Sequence, residues 1–281
     1  MTTPLWNGIY SIDHPLIAVA DMERARGVYE RLGFVVPPRG SHVEWGTGNW
    51  CIMFERDYLE LRGILDPSRP LQGLDAHLEM NGEGLMGLAF GTNDADMSCD
   101  TLTNSGIGVR KFDHLARNFE RPEGWTQPKF ALCFPDEHKV LGLTHVVLCQ
   151  HLTPQLLRDP SFLDHPNGAT GMVGIFGQVA DLEAVEKIQR AFLGDGAVTR
   201  TENKLTLRLP SDQFIELEGL AMNTQDKKSC LVAIRLAVTN LTNTRDVLKE
   251  SSIPFEGTLA SDVLVVSETH ACGTRLEFVE I

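Results

Sequence analysis

The sequence predicts an α+β fold of four βαβββ modules, paired into two curved mixed-sheet domains with the helices outside. Three observations support this. An apolar run, a helix cap and an amphipathic segment occur in that order four times. Strand-like segments follow these helices. Three of the closing strands carry a glutamate at the same place. One such module has an apolar sheet face that it cannot bury alone, so the modules are expected to pair.

The predicted helices have recognisable ends. Their N-caps are residues whose side chains accept a hydrogen bond from the first turn: Asp21, Asp94, Asp181 and Asn240. Each stops at a glycine or before a proline: Gly33, Gly106, Gly194 and Pro254. The distance from cap to stop is the same in the first two helices, which supports an internal repeat.

The strands are predicted from apolar alternation after each helix. In the first, third and fourth modules they fall at 42–47, 49–56, 57–64, 197–202, 204–211, 213–220, 258–262, 263–268 and 274–281. The shared glutamates of the closing strands are Glu60, Glu216 and Glu277. The second module is expected to contain an insertion rich in charge around 111–128 before a closing strand within 139–151. A hairpin turn is expected between Trp45 and Trp50.

The domain boundaries follow from this pattern. Residues 1–150 are expected to form the N-terminal domain and 170–281 the C-terminal one, joined by a linker at 151–169 that contains three prolines. The net charge of −13, from 38 acidic and 25 basic residues, argues against nucleic-acid and membrane-surface partners. No targeting or spanning segment is recognised, so we expect a cytoplasmic protein. The six cysteines, which form no metal-type pair, are expected to be reduced thiols.

The first module opens with Ile12-Asp13-His14 and continues to Val19 and Asp21 in the pattern I-D-H-x-x-x-x-V-x-D. With the repeated βαβββ unit and the closing glutamate, this pattern resembles the vicinal oxygen chelate superfamily. That superfamily includes glyoxalase I, extradiol dioxygenases, fosfomycin-resistance proteins and bleomycin-binding proteins. The stretches 149–154 and 165–169 are similar to its glyoxalase-like branch. The resemblance covers nearly the whole chain.

The resemblance implies a metal site, because the first strand of a module gives a histidine ligand and the last a carboxylate. His14 and Glu60 stand at those places. The other modules have Gly87, Gly174 and Ala233 where His14 would recur. Alternation in the second module's last strand puts His145, Val147, Cys149 and His151 on one face, so His151 is a substitute ligand. The predicted set is His14, Glu60 and His151, which suits a divalent ion: Fe, Mn, Ni or Zn.

Structural alternatives stay open for each residue. The alternative for His14 is a strand-end histidine bonded to the backbone, and the alternative for His151 is a loop residue that begins the linker. Glu60, between two leucines that point the other way, is equally a solvated side chain. The substrate-binding candidates are Trp45, Trp50, Arg62 and His145, with core packing or solvent exposure as the alternative for each.

Three functions remain open from the sequence. The first is a metal-assisted lyase or isomerase acting on a small oxygenated substrate, with Glu60 as the catalytic carboxylate. The second is an extradiol-type Fe(II) dioxygenase. The third is a metal-free protein that binds and sequesters a small molecule. We also expect a homodimer.

Overall fold

The computed structural model describes residues 6–121, 124–136, 145–220, 230–258 and 262–281. Within these ranges it contains two sheets and five α-helices, with the helices on the outside. The helices are α1 (Met22–Arg31), α2 (Leu74–Asn81), α3 (Ala95–Asn104), α4 (Leu182–Leu193) and α5 (Leu241–Glu250). None of them is both long and apolar enough to cross a membrane. The predicted α+β class is confirmed.

The N-terminal sheet has nine strands. They are β1 (Ile9–Ala18), β2 (Gly40–His42), β3 (Thr47–Met53), β4 (Tyr58–Ile64), β5 (Gly84–Thr92), β6 (Val109–Arg121), β7 (Gly124–Thr126), β8 (Lys129–Pro135) and β9 (Val146–His151). Their order is β2-β3-β4-β1-β5-β9-β8-β6-β7, and β2 also pairs with β6. That additional pairing curls the sheet into a barrel with an interior face.

The C-terminal sheet has seven strands. They are β10 (Ala169–Val179), β11 (Val198–Thr201), β12 (Lys204–Arg208), β13 (Phe214–Gly219), β14 (Cys230–Val238), β15 (Val263–Val266) and β16 (Arg275–Glu280). Their order is β11-β12-β13-β10-β14-β16-β15, with no pairing of the two edge strands in the described part of the chain. In both sheets the first strands of two modules run antiparallel at the centre, β1 beside β5 and β10 beside β14.

The helix caps form as predicted. Asp21, Asp94, Asp181 and Asn240 each accept a hydrogen bond from the backbone N–H three residues later. The chain also forms α2, which no sequence signal predicted. This short helix begins after Gly73, and its Leu74 packs against Leu16 and Met86 of the barrel.

Two strand predictions are wrong. Residues 111–121 of the expected insertion continue the strand β6, because their backbone pairs with β8 and β2. The expected turn between Trp45 and Trp50 lies earlier, at 43–46, since Thr47 already opens β3. Both errors arise because backbone pairing with other strands of the sheet overrides the local signal of glycine and charge.

The prediction of six reduced cysteines is also wrong for one pair. Cys99 on α3 and Cys133 on β8 form a disulfide, with their Cα atoms 6.1 Å apart. They are 34 residues apart in sequence and meet because α3 packs against β8, a contact that spacing alone does not reveal. Cys51, Cys149 and Cys272 are buried free thiols.

The two halves meet along β5 and β14. Aromatic rings cross this seam: Phe90 contacts Phe192 at a centroid distance of 5.4 Å, and Phe34 stacks on Phe278 at 6.3 Å. Asp57 is buried there too, accepting hydrogen bonds from the backbone N–H of Met172 and the side chain of Gln213. The halves therefore share one apolar core.

Candidate metal centre

The interior of the N-terminal barrel holds a small cavity of about 70 Å³. On β4, Tyr58, Glu60 and Arg62 line it, whereas the intervening Leu59 and Leu61 belong to the outer core beneath the helices. This is the alternation that a strand imposes. Glu60 therefore points away from both leucines, as the sequence shows, but towards a closed interior instead of solvent.

A β-bulge on β1 directs two consecutive side chains to this region. Ile12 pairs with Phe90 and His14 pairs with the adjacent Ala89 of β5. Asp13 therefore has no partner of its own on β5 and is the extra residue of the bulge. Bulges re-aim side chains in this way near functional sites. Asp13 Oδ2 lies 2.8 Å from His14 Nδ1, and both side chains are buried.

Glu60 lies between two histidines. Its Oε2 is 3.6 Å from His14 Nε2, and its Oε1 is 3.6 Å from His42 Nε2. Asn49 donates to Oε1 at 2.5 Å. Burial acts to raise the pKa of Glu60, but the nearby charges of His14 and Arg62 outweigh it and lower the pKa. Glu60 is therefore ionised at neutral pH.

His42 presents an unprotonated nitrogen to Glu60. Its Nδ1 lies 3.1 Å from the carbonyl oxygen of Thr47 and 2.8 Å from the Thr47 hydroxyl, and the amide nitrogen of Asn49 lies 3.4 Å from its Nε2. The carbonyl acceptor and the amide donor together place the proton on Nδ1. Burial, and then the charges of Arg62 and Arg117, lower the pKa of His42 to about 3. The ring is therefore neutral, with its Nε2 lone pair directed towards Glu60.

His14 has the same arrangement on the other side of the carboxylate. Its Nδ1 is held by Asp13, and the pKa of Asp13 is well below its usual range. Burial alone would raise that pKa, but the charge of His151 and hydrogen bonds from His14 and His151 lower it. An ionised Asp13 accepts the Nδ1 proton, so Nε2 is the His14 nitrogen that faces Glu60 and could bind an ion. A carboxylate that orients a ligating histidine is common at metal sites.

These contacts bring together two imidazole nitrogens and two carboxylate oxygens, which are atom types that bind divalent metal ions. At 3.6 Å the nitrogen–oxygen distances are too long for hydrogen bonds. Only the Asn49 amide donates to this group among the contacts that the structure describes. His42 Nε2 and Glu60 Oε1 are acceptors that face each other and repel unless a cation lies between them, and His14 Nε2 lies on the other side of the carboxylate, so the set of His14, His42 and Glu60 fits a divalent ion.

A second group of possible ligands lies beside the first. Asp13, Cys149 and His151 place one donor atom each within 4.8 Å of one another. Burial raises the pKa of the Cys149 thiol well above its usual value, and Asp13 already accepts from two histidines. A protonated thiol and a carboxylate occupied by hydrogen bonds fit an ion less well. We therefore regard Asp13 as the residue that orients His14.

The structure brings some of the predicted site residues together and separates others. His14, Glu60, Trp45 and Arg62 line the cavity. His151 does not face Glu60 directly: its Nε2 contacts Asp13 at 2.8 Å, on the wall between the cavity and a larger cleft of about 610 Å³.

Two predicted residues lie elsewhere. The Trp50 ring faces α1, where Nε1 donates to the Met22 carbonyl at 3.0 Å, because its neighbours Asn49 and Cys51 take the inner face of β3. His145 precedes β9 with a positive φ of 62° and lies against Gly73, outside the cavity lining. Alternation does hold further along this strand, because Val147 and Cys149 line the cavity.

The sequence interpretation missed several residues of the site. His42 and Arg117 reach the cavity through the β2–β6 pairing, in which they stand opposite each other. Asn49 enters through its pairing with Arg62. Of the polar residues 42, 49 and 60, only Glu60 stands between two apolar residues, and that is the one local signal of an inward polar face.

The closed mixed sheet, with ligand-type residues on β1 and β4, defines a barrel of the vicinal oxygen chelate class. The family comparison agrees: a model of the glyoxalase-like domain matches residues 12–193. The chain belongs to this family of glyoxalase-like domains, within the vicinal oxygen chelate superfamily. Comparison with curated protein sequences finds no significant match.

Solved structures share the fold at low sequence identity. A hypothetical protein from Staphylococcus aureus matches with a TM-score of 0.70 and 12% identity, covering 97% of this chain and 100% of that one. A xylose isomerase-like TIM barrel/4-hydroxyphenylpyruvate dioxygenase fusion protein matches at 0.63 and 11%, over 100% of this chain and 50% of its own. A triple mutant of 4-hydroxymandelate synthase from Streptomyces coelicolor matches at 0.57 and 11%, over 97% and 92%.

Proposed function

We propose that this chain is a divalent-metal-dependent enzyme that acts as a lyase or isomerase on a small oxygenated substrate. The observation that carries the proposal is the convergence of His14 Nε2, His42 Nε2 and both Glu60 oxygens in a buried cavity, at distances too long for hydrogen bonds between them. In this proposal His42 takes the ligand place that the sequence suggested for His151. His151 supports His14 through Asp13.

The roles of the protein groups follow from their contacts. His14, His42 and Glu60 would hold the ion, which when bound polarises a carbonyl or stabilises an enediolate. Asp13 keeps His14 in the tautomer that presents Nε2. The Tyr58 ring stacks on His14 with centroids 4.2 Å apart and fixes its plane. Glu60, the buried carboxylate of the cavity, is the group placed to accept a proton from a bound substrate.

The size of the cavity favours a reaction with one substrate. Its volume of about 70 Å³ is small, and apolar side chains of β6, β8 and β9 close the opposite wall. A proton transfer within one molecule needs room for that molecule alone. An oxygenation needs room for dioxygen as well.

An Fe(II)-dependent oxygenase is the second candidate function. Two histidines and one carboxylate with open positions are typical of non-haem Fe(II) oxygenases. Two of the structural relatives are named as a 4-hydroxyphenylpyruvate dioxygenase fusion and a 4-hydroxymandelate synthase. At 11% identity those names carry fold similarity only, so the donor set is the stronger support.

Metal analysis of variants tests the donor set. We expect the purified protein to bind one divalent ion per chain, and His14→Ala or His42→Ala to weaken binding by more than about 100-fold, which is the upper end for loss of a residue that only supports a ligand. His151→Ala should weaken it less, since His151 acts through Asp13. His270→Ala, in the other half, is the matched control. Equal metal content in the wild type and the His42→Ala variant would contradict the assignment of His42 as a ligand.

The reaction class needs a separate measurement. With the metal-loaded protein, we expect NMR to show deuterium exchange next to the carbonyl of small 2-oxo compounds and hemithioacetals. Iron-dependent oxygen uptake with catechol or a 2-oxo acid, without such exchange, would instead support the oxygenase. No metal and no response to a chelator would favour the metal-free binding protein.

A further inference from the structure

Two arginines are buried in the wall of the barrel cavity. Arg117 is 3% exposed and Arg62 is 7% exposed, and both line the cavity that holds Glu60. No carboxylate of the described residues forms a salt bridge with either guanidinium, and Glu60 reaches Arg117 only through the Asn49 amide. Glu60 acts on both guanidiniums only at a distance, and a buried charge without a directly bonded ionic partner is costly, so its retention requires an explanation.

One edge of the Arg117 guanidinium has no partner. Its Nη1 donates to Asn49 Oδ1 at 3.2 Å and to Cys51 Sγ at 2.6 Å. Cys51 offers no charge, because burial raises the pKa of its thiol to about 12. Nε and Nη2 are buried and have no hydrogen-bond partner among the described residues. These two nitrogens form the pair of parallel N–H groups that binds a carboxylate through both of its oxygens.

Arg62, on β4, also has too few hydrogen-bond partners among the described residues. Its Nε is buried without a partner, and its Nη2 makes only a long contact of 3.4 Å with Thr47 Oγ1. The guanidinium lies 5.6 Å from the centre of the Trp45 ring, which holds it in place from one side. Two cationic groups with spare donors therefore line the same small cavity.

The position of Arg117 depends on the absence of a side chain at Gly40. A Cβ there would lie 2.7 Å from Arg117 Cδ and 3.0 Å from its Nε. Contacts this close would push the guanidinium away, so the bare backbone of β2 is what lets it lie there. The arginine is therefore fitted into the barrel wall.

We infer that Arg117, assisted by Arg62, binds the carboxylate of the substrate, so that the substrate is a short-chain organic acid. The inference rests on the proposed function, because it names the substrate class of the same cavity. The carboxylate would supply the missing partner of the two guanidiniums and leave the oxygenated part of the molecule near Glu60. The small volume restricts the acid to a few carbon atoms.

The test measures binding in the metal-free protein, so that it does not depend on catalysis. After treatment with EDTA, thermal shift and calorimetry would follow a panel of acids: acetate, glycolate, lactate, pyruvate and 2-oxobutyrate. Pyruvamide, a neutral analogue of pyruvate with almost the same shape, is the matched ligand. We expect at least one acid to bind and to raise the melting temperature, and pyruvamide to do neither.

Variants separate a binding arginine from a structural one. Arg117→Met should weaken binding of the acid about tenfold or more, as for loss of charged hydrogen bonds. Arg117→Lys should keep only part of the affinity, because a lysine lacks the paired N–H edge. The unliganded Arg117→Met protein should melt at the same temperature as the wild type or higher, since a buried unpaired charge is removed. A structural guanidinium would lower it. Arg235→Met, in the other half, should leave acid binding unchanged.

Several outcomes overturn the inference. They are binding of no acid in the panel, equal binding of pyruvamide and pyruvate, and unchanged acid affinity in Arg117→Met. Competition by chloride or sulfate at the same concentrations would mean an unselective anion site and would also overturn it. A parallel Mn²⁺ titration of each protein reports on the metal site alone. Acid binding without metal binding would leave this inference standing and remove the proposed function.

Discussion

Glu60 in the barrel and Glu277 in the C-terminal sheet hold equivalent places at the centre of a closing strand, yet their surroundings are opposite. Both are buried to the same extent, at 3% exposure. Glu277 Oε2 accepts from Arg235 Nε at 2.9 Å and Nη2 at 2.6 Å, and its Oε1 contacts Arg275. Glu60 faces two imidazole nitrogens at 3.6 Å and receives one amide hydrogen bond.

The difference shows how the same residue types form either a structural ion pair or a site. In the C-terminal half, Arg235 stands directly across from Glu277 on the neighbouring strand, so arginine and glutamate neutralise each other. In the barrel, Leu16 stands across from Glu60, and Asn49 lies between the glutamate and Arg117. Anionic and cationic groups that are kept apart in this way retain capacity for a ligand.

The strongest test of this comparison is the effect of each glutamate on metal affinity. Glu60→Gln should weaken binding of a divalent ion at least about 100-fold, because it removes the charged ligand from the proposed set. Glu277→Gln is the matched control and should leave metal content unchanged, because its arginines already occupy both oxygens. Inductively coupled plasma analysis after dialysis measures both. Loss of metal in Glu277→Gln, together with full metal content in Glu60→Gln, would place the metal site in the C-terminal half instead.

Another buried carboxylate, Asp57, extends the comparison to the seam between the halves, where no imidazole or arginine of the described residues forms a salt bridge with it. Burial raises its pKa to about 7. A folded-state pKa above the unfolded value means that the folded protein binds more protons. The contribution of Asp57 to stability is therefore full below about pH 4 and decreases as the pH rises towards 7.

We expect the wild type to lose about 2 kcal/mol of unfolding free energy between pH 5 and pH 8 through Asp57. The unfolding free energy of Asp57→Asn should not show this loss over the same pH range, because an amide does not ionise. Urea denaturation at the two pH values measures the difference. Asp75→Asn, at an exposed site on α2, should behave like the wild type. If Asp57→Asn shows the full loss, Asp57 is already ionised when buried.

The smallest expected effect is on stability, and it tests whether Glu277 forms a structural ion pair. Glu277→Gln should destabilise the protein by about 1 kcal/mol, because it leaves Arg235 and Arg275 without a carboxylate. The effect is modest since both guanidiniums are partly exposed and solvent screens them. Glu60→Gln should cost less or nothing in the metal-free protein. Denaturant titrations of the two variants give the comparison, which fails if the order of the two is reversed.

The sequence predicted the parts of this fold that depend on neighbouring residues. Asp21, Asp181 and Asn240 cap their helices because a cap acts within one turn. The inward direction of Glu60 follows from alternation with two leucines. Whether that direction leads to solvent or to a cavity depends on closure of the barrel, which no local pattern contains.

The remaining parts of the site depend on contacts between distant residues. Alternation places Asp13 on the face opposite His14, and a bulge in the pairing with β5 brings both inward. His42 and Arg117 are 75 positions apart and meet only across the β2–β6 pairing. His151 was predicted to face Glu60 but contacts Asp13, because its strand runs beside β5 and β8 and not beside β4.

The pairing of β2 with β6 has a consequence for how ligands enter and leave. It comprises three residue pairs, from Gly40 opposite Phe119 to His42 opposite Arg117. These few hydrogen-bonded residues complete the wall and at the same time carry a proposed ion ligand and the proposed anion-binding guanidinium. Separation of β2 from β6 would open the barrel wall and, at the same time, move the proposed ligand and the proposed anion-binding group apart. Ligand binding and closure of the wall are therefore coupled, and a bound ligand would stabilise the β2–β6 pairing that encloses it.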